Sequence, residues 1–280
     1  MRVAVHARAR GMGALRQEPA DLRRNAAWIA HGGGDGLTAW HRRGTGSEGS
    51  PIISFEQVIK VYPPRTLALA DISLEIAQGE FVFLIGASGA GKSTMIRLLY
   101  REEKPSAGRL LINGKDIGRL RRREVPFLRR RIGVVFQDFK LLEHKTVYDN
   151  VAFPLICTEA RPREIARRVP QVLEAVGLSS KARSRATELS GGEQQRCAIA
   201  RAVVGDPEIL IADEPTGNLD SDTARGIINL LVEINRRGTT VLVATHSESL
   251  VNTLRRRVIA LDHGRVVRDE ERGLYRREAL

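Results

Sequence analysis

From residue 51 onward, short apolar runs alternate with longer stretches whose apolar residues recur at helical spacing. Apolar runs bounded by polar or glycine-rich turns are typical of buried strands, and the helical spacing is typical of helices with one buried face. The predicted buried strands are residues 81–85, 132–136, 208–212 and 239–244. The predicted helices are residues 95–99, 146–156, 162–176, 194–204 and 221–237. This alternation predicts an α/β fold.

The first part of this region has a different pattern. In residues 53–62 and 67–76, apolar and polar residues alternate, as in strands with one buried face. Residues 109–114 form a further strand that ends in Asn113-Gly114, which is a strong signal for a hairpin turn. The sequence therefore predicts a small antiparallel β subdomain beside the main sheet.

The block from about residue 140 to 186 contains two of the predicted helices and no predicted strand. We expect it to be a helical subdomain inserted into the α/β domain. Pro170 lies inside the second of these helices, and because proline has no N–H we expect it to kink or split that helix.

Residues 1–50 differ in composition from the rest of the chain. They are rich in Arg, Gly and Ala, and their scattered apolar residues cannot offset the conformational entropy lost on folding. We therefore expect a disordered extension here, the alternative being an Arg-rich arm for anionic lipid or nucleic acid. The folded domain then spans residues 51–270, and residues 271–280 form a short charged tail.

Composition limits the function classes only loosely. The 280 residues carry a net charge of +12, which suits contact with nucleic acid or an anionic membrane but also simply favours solubility. The basic stretch 119–131 is interpreted as a solvated helix face, because few aromatic residues interleave it.

Cys157 and Cys197 show no metal-ligand spacing, and we expect both to be reduced and near the core. No apolar run approaches the ~20 residues that cross a bilayer.

The strongest chemical signal is the segment GASGAGKST, which lies between a predicted strand and a predicted helix. Glycines allow backbone N–H groups to turn inward, and the start of the helix adds further donors and a partial positive charge. Such a loop binds nucleotide phosphates: Lys92 should reach the β- and γ-phosphates, and the Ser93 hydroxyl should bind Mg²⁺. The residues predicted to bind phosphate are Gly86, Ala87, Ser88, Gly89, Ala90, Gly91, Lys92, Ser93 and Thr94.

A second signal is an apolar strand that ends in two carboxylates, Asp213 and Glu214. Beside a phosphate-binding loop, Asp213 can orient the Mg²⁺ shell and Glu214 can polarise a water molecule for attack on the γ-phosphate. Taken alone, the same pair is equally consistent with a surface acidic pair at a strand end.

Together these motifs resemble those of the ATP-binding cassette (ABC) ATPases. Residues 86–94 are similar to the Walker A motif and residues 209–214 to Walker B, with Glu214 as the catalytic glutamate. Four further matches follow the family's order: Gln137 with the Q-loop, residues 189–193 with the signature, residues 218–220 with the D-loop and His246 with the switch histidine. Tyr62 stands where the family places an aromatic residue that stacks on adenine. One departure is Glu193, where the common signature has Gln.

The resemblance implies a P-loop NTPase core that binds ATP and Mg²⁺ and hydrolyses ATP. Gln137, Glu214 and His246 would be catalytic, and Ser93, Gln137 and Asp213 would hold the metal. Ser190, Gly191 and Gly192 open a helix, so their N–H groups form a second anion site that one chain cannot readily aim at its own nucleotide. The family accordingly implies a head-to-tail homodimer with two ATP at its interface.

Three stretches favour a particular subgroup, the cell-division ATPases: residues 123–138, 146–155 and 189–204. The alternatives are the lipoprotein-release and macrolide-export ATPases, which share LSGGEQQR and DEPTGNLD with this chain. The subgroup implies an integral membrane permease that docks at residues 139–155, and a peripheral location on the cytoplasmic face of the inner membrane at the division site. A soluble ATPase acting on nucleic acid is less favoured, because the chain has no long coiled coil, zinc insert or second phosphate loop.

Overall fold

The computed structural model describes residues 51–276; residues 1–50, predicted to be a disordered extension, and residues 277–280 of the predicted tail lie outside it. The strands of the described part are β1 (Pro51–Tyr62), β2 (Thr66–Ala77), β3 (Phe81–Ile85), β4 (Ala107–Ile112), β5 (Lys115–Asp116), β6 (Ile132–Val135), β7 (Ile209–Asp213), β8 (Thr240–Ala244), β9 (Arg257–Asp262) and β10 (Arg265–Glu270). Its helices are α1 (Lys92–Leu99), α2 (Val125–Arg130), α3 (Val147–Cys157), α4 (Pro162–Ala175), α5 (Gly191–Val203), α6 (Ser221–Arg236) and α7 (Glu248–Leu254). Both classes of element are present, as the sequence predicts.

The smaller sheet is antiparallel, with strand order β2-β1-β4-β5. Along β2, buried and exposed side chains alternate, because only one face of the strand lies against the core. The turn between β4 and β5 is Asn113-Gly114, whose φ angles of 49° and 70° are the left-handed values that a two-residue hairpin loop needs. The predicted antiparallel β subdomain is confirmed.

The larger sheet has the strand order β10-β9-β3-β8-β7-β6, and all its neighbouring pairs are parallel except β9 with β10. Every residue of β3 and β8 is buried, since both faces of these strands are covered. The register aligns Leu84 with Ala244, Ala244 with Asp213, and Ala212 with Val135. The carboxyl ends of β3, β8, β7 and β6 therefore meet at one edge of the sheet.

Two apolar clusters hold the parallel sheet between layers. One joins the sheet to α1 and to the antiparallel sheet, through Met95, Leu98 and Phe55 among others. The other joins the sheet to α5 and α6, through Ile199 and Leu231 among others. The helices that begin at the two predicted anion sites, α1 and α5, are thus packed against the same sheet.

In the predicted helical block, α3 and α4 follow β6 in the chain. A reciprocal capping box between Thr146 and Asp149 begins α3. The sequence predicts that Pro170 kinks or splits the second helix; the split is wrong, because α4 runs without a break through this residue. Val169 and Val172 are buried on one side of α4, while Pro170 is exposed. Proline cannot donate to the backbone carbonyl four residues before it, but on this solvent-facing side water can make that hydrogen bond instead.

Two further sequence expectations need correction. Cys197 is fully buried as expected, but Cys157 is exposed at the end of α3, so its predicted place near the core is wrong. Helix α7 was not predicted, since its seven residues are too few for a clear period. No helix within residues 51–276 combines the length and the apolar character that crossing a membrane requires.

Candidate active site

The predicted phosphate-binding loop, residues 86–94, connects β3 to α1. Gly86 has a φ of 147°, and a Cβ atom there would lie 2.3 Å from the carbonyl oxygen of Leu261, so only glycine fits. The turn between β9 and β10 supports the loop from behind, because the Gly264 N–H donates to the Ala90 carbonyl over 3.0 Å. Gly91 caps α1 without any side-chain hydrogen bond, which leaves the first N–H groups of the helix for an anion.

Lys92 folds back along this loop. Its Nζ donates to the carbonyl oxygens of Gly86, over 2.7 Å, and Ala87, over 3.0 Å. Burial lowers the pKa of Lys92, while the carboxylates of Glu214 and Asp213 act in the opposite direction and favour the ammonium form. The cation therefore lies between the loop carbonyls and two acids, where a phosphate would complete its coordination.

The two acids stand at the carboxyl end of β7. Burial, and then the neighbouring Glu214 carboxylate, raise the pKa of Asp213, whereas Lys92 and Arg97 lower it. For a buried carboxyl group beside a second carboxylate, the ionised form is unfavourable unless a nearby cation balances its charge. Hydroxyl, amide and carboxylate oxygens from Ser93, Gln137 and Asp213 are the donor types that Mg²⁺ prefers. The residues at this edge of the sheet therefore fit a magnesium ion.

Glu214 and His246 are in direct contact. Glu214 takes a left-handed φ of 47°, and its N–H donates to the Ala244 carbonyl over 2.9 Å, so β8 holds the turn that follows Asp213. The Glu214 carboxylate is only 13% exposed, and its Oε1 lies 2.8 Å from His246 Nδ1. The backbone N–H of His246 donates to the other carboxylate oxygen over 3.4 Å. Sequence reasoning assigned each residue a role but did not foresee this contact.

Gln137 reaches the same edge from β6. Val135 pairs with Ala212, so Gln137, two residues further along, comes level with the acids that follow Ala212. Its side chain is exposed. The order of the predicted residues along the edge is therefore the phosphate-binding loop after β3, His246 after β8, the acids after β7 and Gln137 after β6.

The signature residues lie at the start of α5. Ser190 caps this helix in a reciprocal box, in which the Ser190 Oγ accepts from the Glu193 N–H and Glu193 Oε2 accepts from the Ser190 N–H. The hydrogen bond from Ser190 is the main cause that lowers the pKa of Glu193. A capping box accepts Glu or Gln at this position, so the departure from the common signature is explained by helix capping.

The signature packs against the D-loop rather than the phosphate-binding loop. A Cβ atom on Gly192 would lie 2.4 Å from Thr223 Cγ2, so the start of α5 lies directly on α6. Asp220 caps α6 by accepting from the N–H groups of Asp222 and Thr223. Within the described part of the chain, no hydrogen bond or ion pair joins residues 190–192 to residues 86–94, and Ser190 is exposed. One chain therefore carries the two predicted anion sites separately.

Tyr62 ends β1 and is half-buried. Lys60 Nζ lies 4.7 Å from the centroid of the Tyr62 ring and is held by Glu103 Oε2 at 2.7 Å. One face of the ring is thus covered, and a base that stacks on Tyr62 must use the opposite face. Sequence reasoning missed Lys60, although a lysine at a position where the strand's alternation calls for an apolar residue was a usable signal.

Known proteins match this chain in sequence. A family model described as ABC transporter matches residues 69–217. The "Cell division ATP-binding protein FtsE" of Bacillus subtilis (strain 168) is 54% identical over 224 residues, which cover 80% of this chain and 98% of the relative. The Mycobacterium tuberculosis protein of that name is 56% identical over 225 residues, covering 80% and 98%. The Escherichia coli (strain K12) protein is 51% identical over 213 residues, covering 76% and 96%.

Solved structures match it in fold. The ATP-binding cassette MJ0796, in a dimeric post-hydrolysis state bound to ADP and Pi, superposes with a TM-score of 0.72 at 36% identity, covering 80% of this chain and all of that one. The cbiO1 protein from Clostridium perfringens, part of the ABC transporter complex cbiONQ, superposes with a TM-score of 0.74 at 34% identity, covering 79% and 88%. Both are ABC proteins by their descriptions, in line with the motifs.

Proposed function

The chain belongs to the ABC transporter family, and on this premise we propose that it is the ATPase subunit of a membrane-bound complex of bacterial cell division. As a member of the family it binds and hydrolyses ATP. The observation that carries the detailed proposal is the division of the site: Lys92, Asp213, Glu214, His246 and Gln137 converge on one edge of the sheet, whereas the signature residues do not. Two copies arranged head to tail would bring each edge to the other copy's signature.

Within one half-site, we assign the roles as follows. Lys92 and the N–H groups of the loop bind the β- and γ-phosphates of ATP. Ser93, Gln137 and Asp213 would hold Mg²⁺, which when bound supplies charge neutralisation at these phosphates. Glu214 accepts a proton from the attacking water as general base, from a rigid position at the end of β7.

The role of His246 follows from its hydrogen bond. A carboxylate oxygen can only accept, so Nδ1 carries the proton that is donated to Glu214. Nε2 is the ring nitrogen that remains to face the γ-phosphate. His246 therefore orients Glu214 through Nδ1 and offers Nε2 to the γ-phosphate.

A mixing experiment tests the shared site. Lys92→Ala removes the phosphate-binding cation, and Ser190→Asp keeps a good helix cap but places a negative charge where the γ-phosphate should bind. Each variant alone should be inactive. In a mixed dimer both substitutions fall in one site and the other site is intact. Random mixing should therefore restore ATPase activity, up to the roughly one quarter of the wild-type rate that an independently working intact site would give. Phosphate release is measured as a function of the mixing ratio.

Thr146→Asp is the matched control, because it makes the same cap substitution at the start of α3. This variant should retain ATPase activity. If mixed dimers form, as shown by mass spectrometry of the intact complex, and the mixture stays inactive, the composite site is ruled out.

We further propose that the membrane partner is FtsX, acting with this ATPase at the division site on the cytoplasmic face of the inner membrane, and that ATP-driven dimer closure acts on it. The relatives' shared name, which includes cell division, supports the process. For the docking surface, residues 139–155, support comes from α3, where Phe153 is 46% exposed and Ile156, the residue just beyond this range, is 56% exposed. Three residues apart on a helix, these apolar side chains share one face, which can receive a cytoplasmic helix of a permease.

Purification from the organism's own membranes in mild detergent tests this partner. We expect FtsX to accompany the wild-type chain. Phe153→Glu combined with Ile156→Glu should abolish that association, because a buried charge is costly at an apolar interface, and should leave the ATPase rate of the purified chain within about two-fold of wild type.

Val267→Glu is the control, since Val267 is 48% exposed on β10. It should leave FtsX bound. Recovery of a lipoprotein-release or macrolide-export permease in place of FtsX would replace the cell-division proposal with the exporter alternative.

A further inference from the structure

The segment that follows Gln137 is held by a side chain from α5. Arg201 lies near the end of this helix and is partly buried. Its Nη1 donates to the Lys140 carbonyl over 2.6 Å, and its Nη2 donates to the Phe139 carbonyl over 2.7 Å. Two nitrogens of one guanidinium thus hold two consecutive carbonyls.

These carbonyls belong to two residues whose backbone conformation is unfavourable. Phe139 and Lys140 have φ angles of 57° and 47°, and two successive non-glycine residues in the left-handed region persist only where neighbouring groups hold them. The planar fork of arginine offers fixed, parallel N–H groups for such a turn, whereas a lysine ammonium does not. Burial lowers the pKa of Arg201, and the two carbonyls replace the water that its guanidinium has lost.

The other end of the segment is held from α3. Asn150 is fully buried; its Oδ1 accepts from the Leu142 N–H over 2.7 Å, and its Nδ2 donates to the carbonyls of Leu142 and Thr146. Between the two anchors, Phe139 and Leu141 pack against the apolar cluster that contains Ile199 of α5. The segment is therefore attached to α5 and α3 by hydrogen bonds and by packing.

Helix α5 links this anchor to the signature. Ser190 caps its first turn, and Arg201 lies about three turns further along the same helix. A packed helix moves as a rigid element, so a shift at Ser190 shifts Arg201 and, with it, the backbone next to Gln137. In the proposed dimer, Gln137 acts on one ATP and Ser190 on the other.

We propose that Arg201 is a positioning residue that sets Gln137 relative to the signature helix, and so couples the two ATP sites of the dimer. The inference rests on the roles proposed for Gln137 and Ser190. Because Arg201 contacts only backbone in the segment after Gln137, its loss should slow hydrolysis and leave ATP affinity unchanged.

A double-mutant cycle tests this assignment in the full-length chain. Arg201→Lys keeps the charge but loses the fork, and we expect kcat to fall about 10- to 100-fold, with the Kd for ATP within about two-fold of wild type. Gln137→Ala should lower kcat by itself, and adding Arg201→Lys to it should lower kcat no further, since the arginine acts through the glutamine. Arg201→Gln, which has no charge to bury, is measured in parallel so that the result does not depend on one variant's folding.

Arg168→Lys is the matched control. Arg168 donates to the Val204 carbonyl over 3.0 Å and to Asp206 Oδ2 over 2.5 Å, so it too fastens the end of α5, but through residues that precede β7 and not through the segment after Gln137. Amide hydrogen exchange should rise in residues 138–142 for Arg201→Lys and not for Arg168→Lys. An equal loss of kcat in the control would show a general structural effect and overturn the proposal.

The remaining outcomes are distinguishable. If Gln137→Ala slows hydrolysis and the double variant shows the product of the two single reductions in kcat, only the positioning role of Arg201 is ruled out. If Gln137→Ala leaves kcat unchanged, the proposed role of Gln137 is ruled out, and the inference about Arg201 with it.

Discussion

Glu214→Gln should bind ATP as the wild-type chain does, turn it over about 10²- to 10⁴-fold more slowly, and accumulate as an ATP-bound dimer. Glutamine has the shape of glutamate and keeps one oxygen that can accept the hydrogen bond from His246 Nδ1, although its amide nitrogen cannot accept the longer bond from the His246 backbone N–H. It lacks the basicity needed to take a proton from water. The closed dimer therefore forms but cannot proceed through hydrolysis.

Two measurements check this expectation: the rate of phosphate release, and the molar mass by light scattering with and without ATP. Glu271→Gln is the control. It makes the same chemical change at an exposed residue that lies away from the site, near the end of the described part of the chain. A Glu214→Gln chain that hydrolyses ATP at the wild-type rate would remove Glu214 as the general base.

Lys92→Ala should lose nucleotide binding, with the Kd for ATP rising about 100-fold or more. The substitution removes the cation that lies between the loop carbonyls and the acids. The phosphates would then face the carboxylates of Asp213 and Glu214 without the lysine charge between them, and repulsion adds to the lost contact. We expect no hydrolysis at ATP concentrations that saturate the wild-type chain.

Calorimetric titration with ATP measures this effect, and circular dichroism checks that the variant folds. Lys104→Ala is the control, since Lys104 is an exposed lysine in the loop between α1 and β4. Unchanged ATP affinity in Lys92→Ala would contradict the assignment of residues 86–94 as the phosphate-binding loop.

The fold class was predictable because its signals are local. Each strand of the parallel sheet is a short apolar run, and Asn113-Gly114 specifies its hairpin through two backbone conformations that few other residue pairs adopt. The two expectations that were wrong concern burial, which depends on residues far away in the sequence. Whether Pro170 breaks a helix depends on the side of α4 that faces water, and whether Cys157 is buried depends on what packs against the end of α3.

The candidate site was predictable as a set of residues and not as an arrangement. Glu214 and His246 are far apart in the chain and come into contact only because β7 and β8 pair in parallel. Lys60 and Arg201 carry no motif of their own that links them to Tyr62 or Gln137. Their effect depends on a ring face and on two carbonyls that tertiary packing places beside them.

The sequence by itself was enough to predict the phosphate-binding loop, because Gly86, Gly91, the lysine and the flanking strand and helix are all contiguous. It also determined the family, because the motifs occur in a fixed order. Only the tertiary structure decided which motifs meet. Chain order runs from the loop through Gln137 and Ser190 to the acids and His246, but strand order places His246 next to the loop, then the acids, then Gln137. Ser190 is left on α5, away from the loop, because hydrogen bonding between strands, and not distance along the chain, sets which residues share an edge.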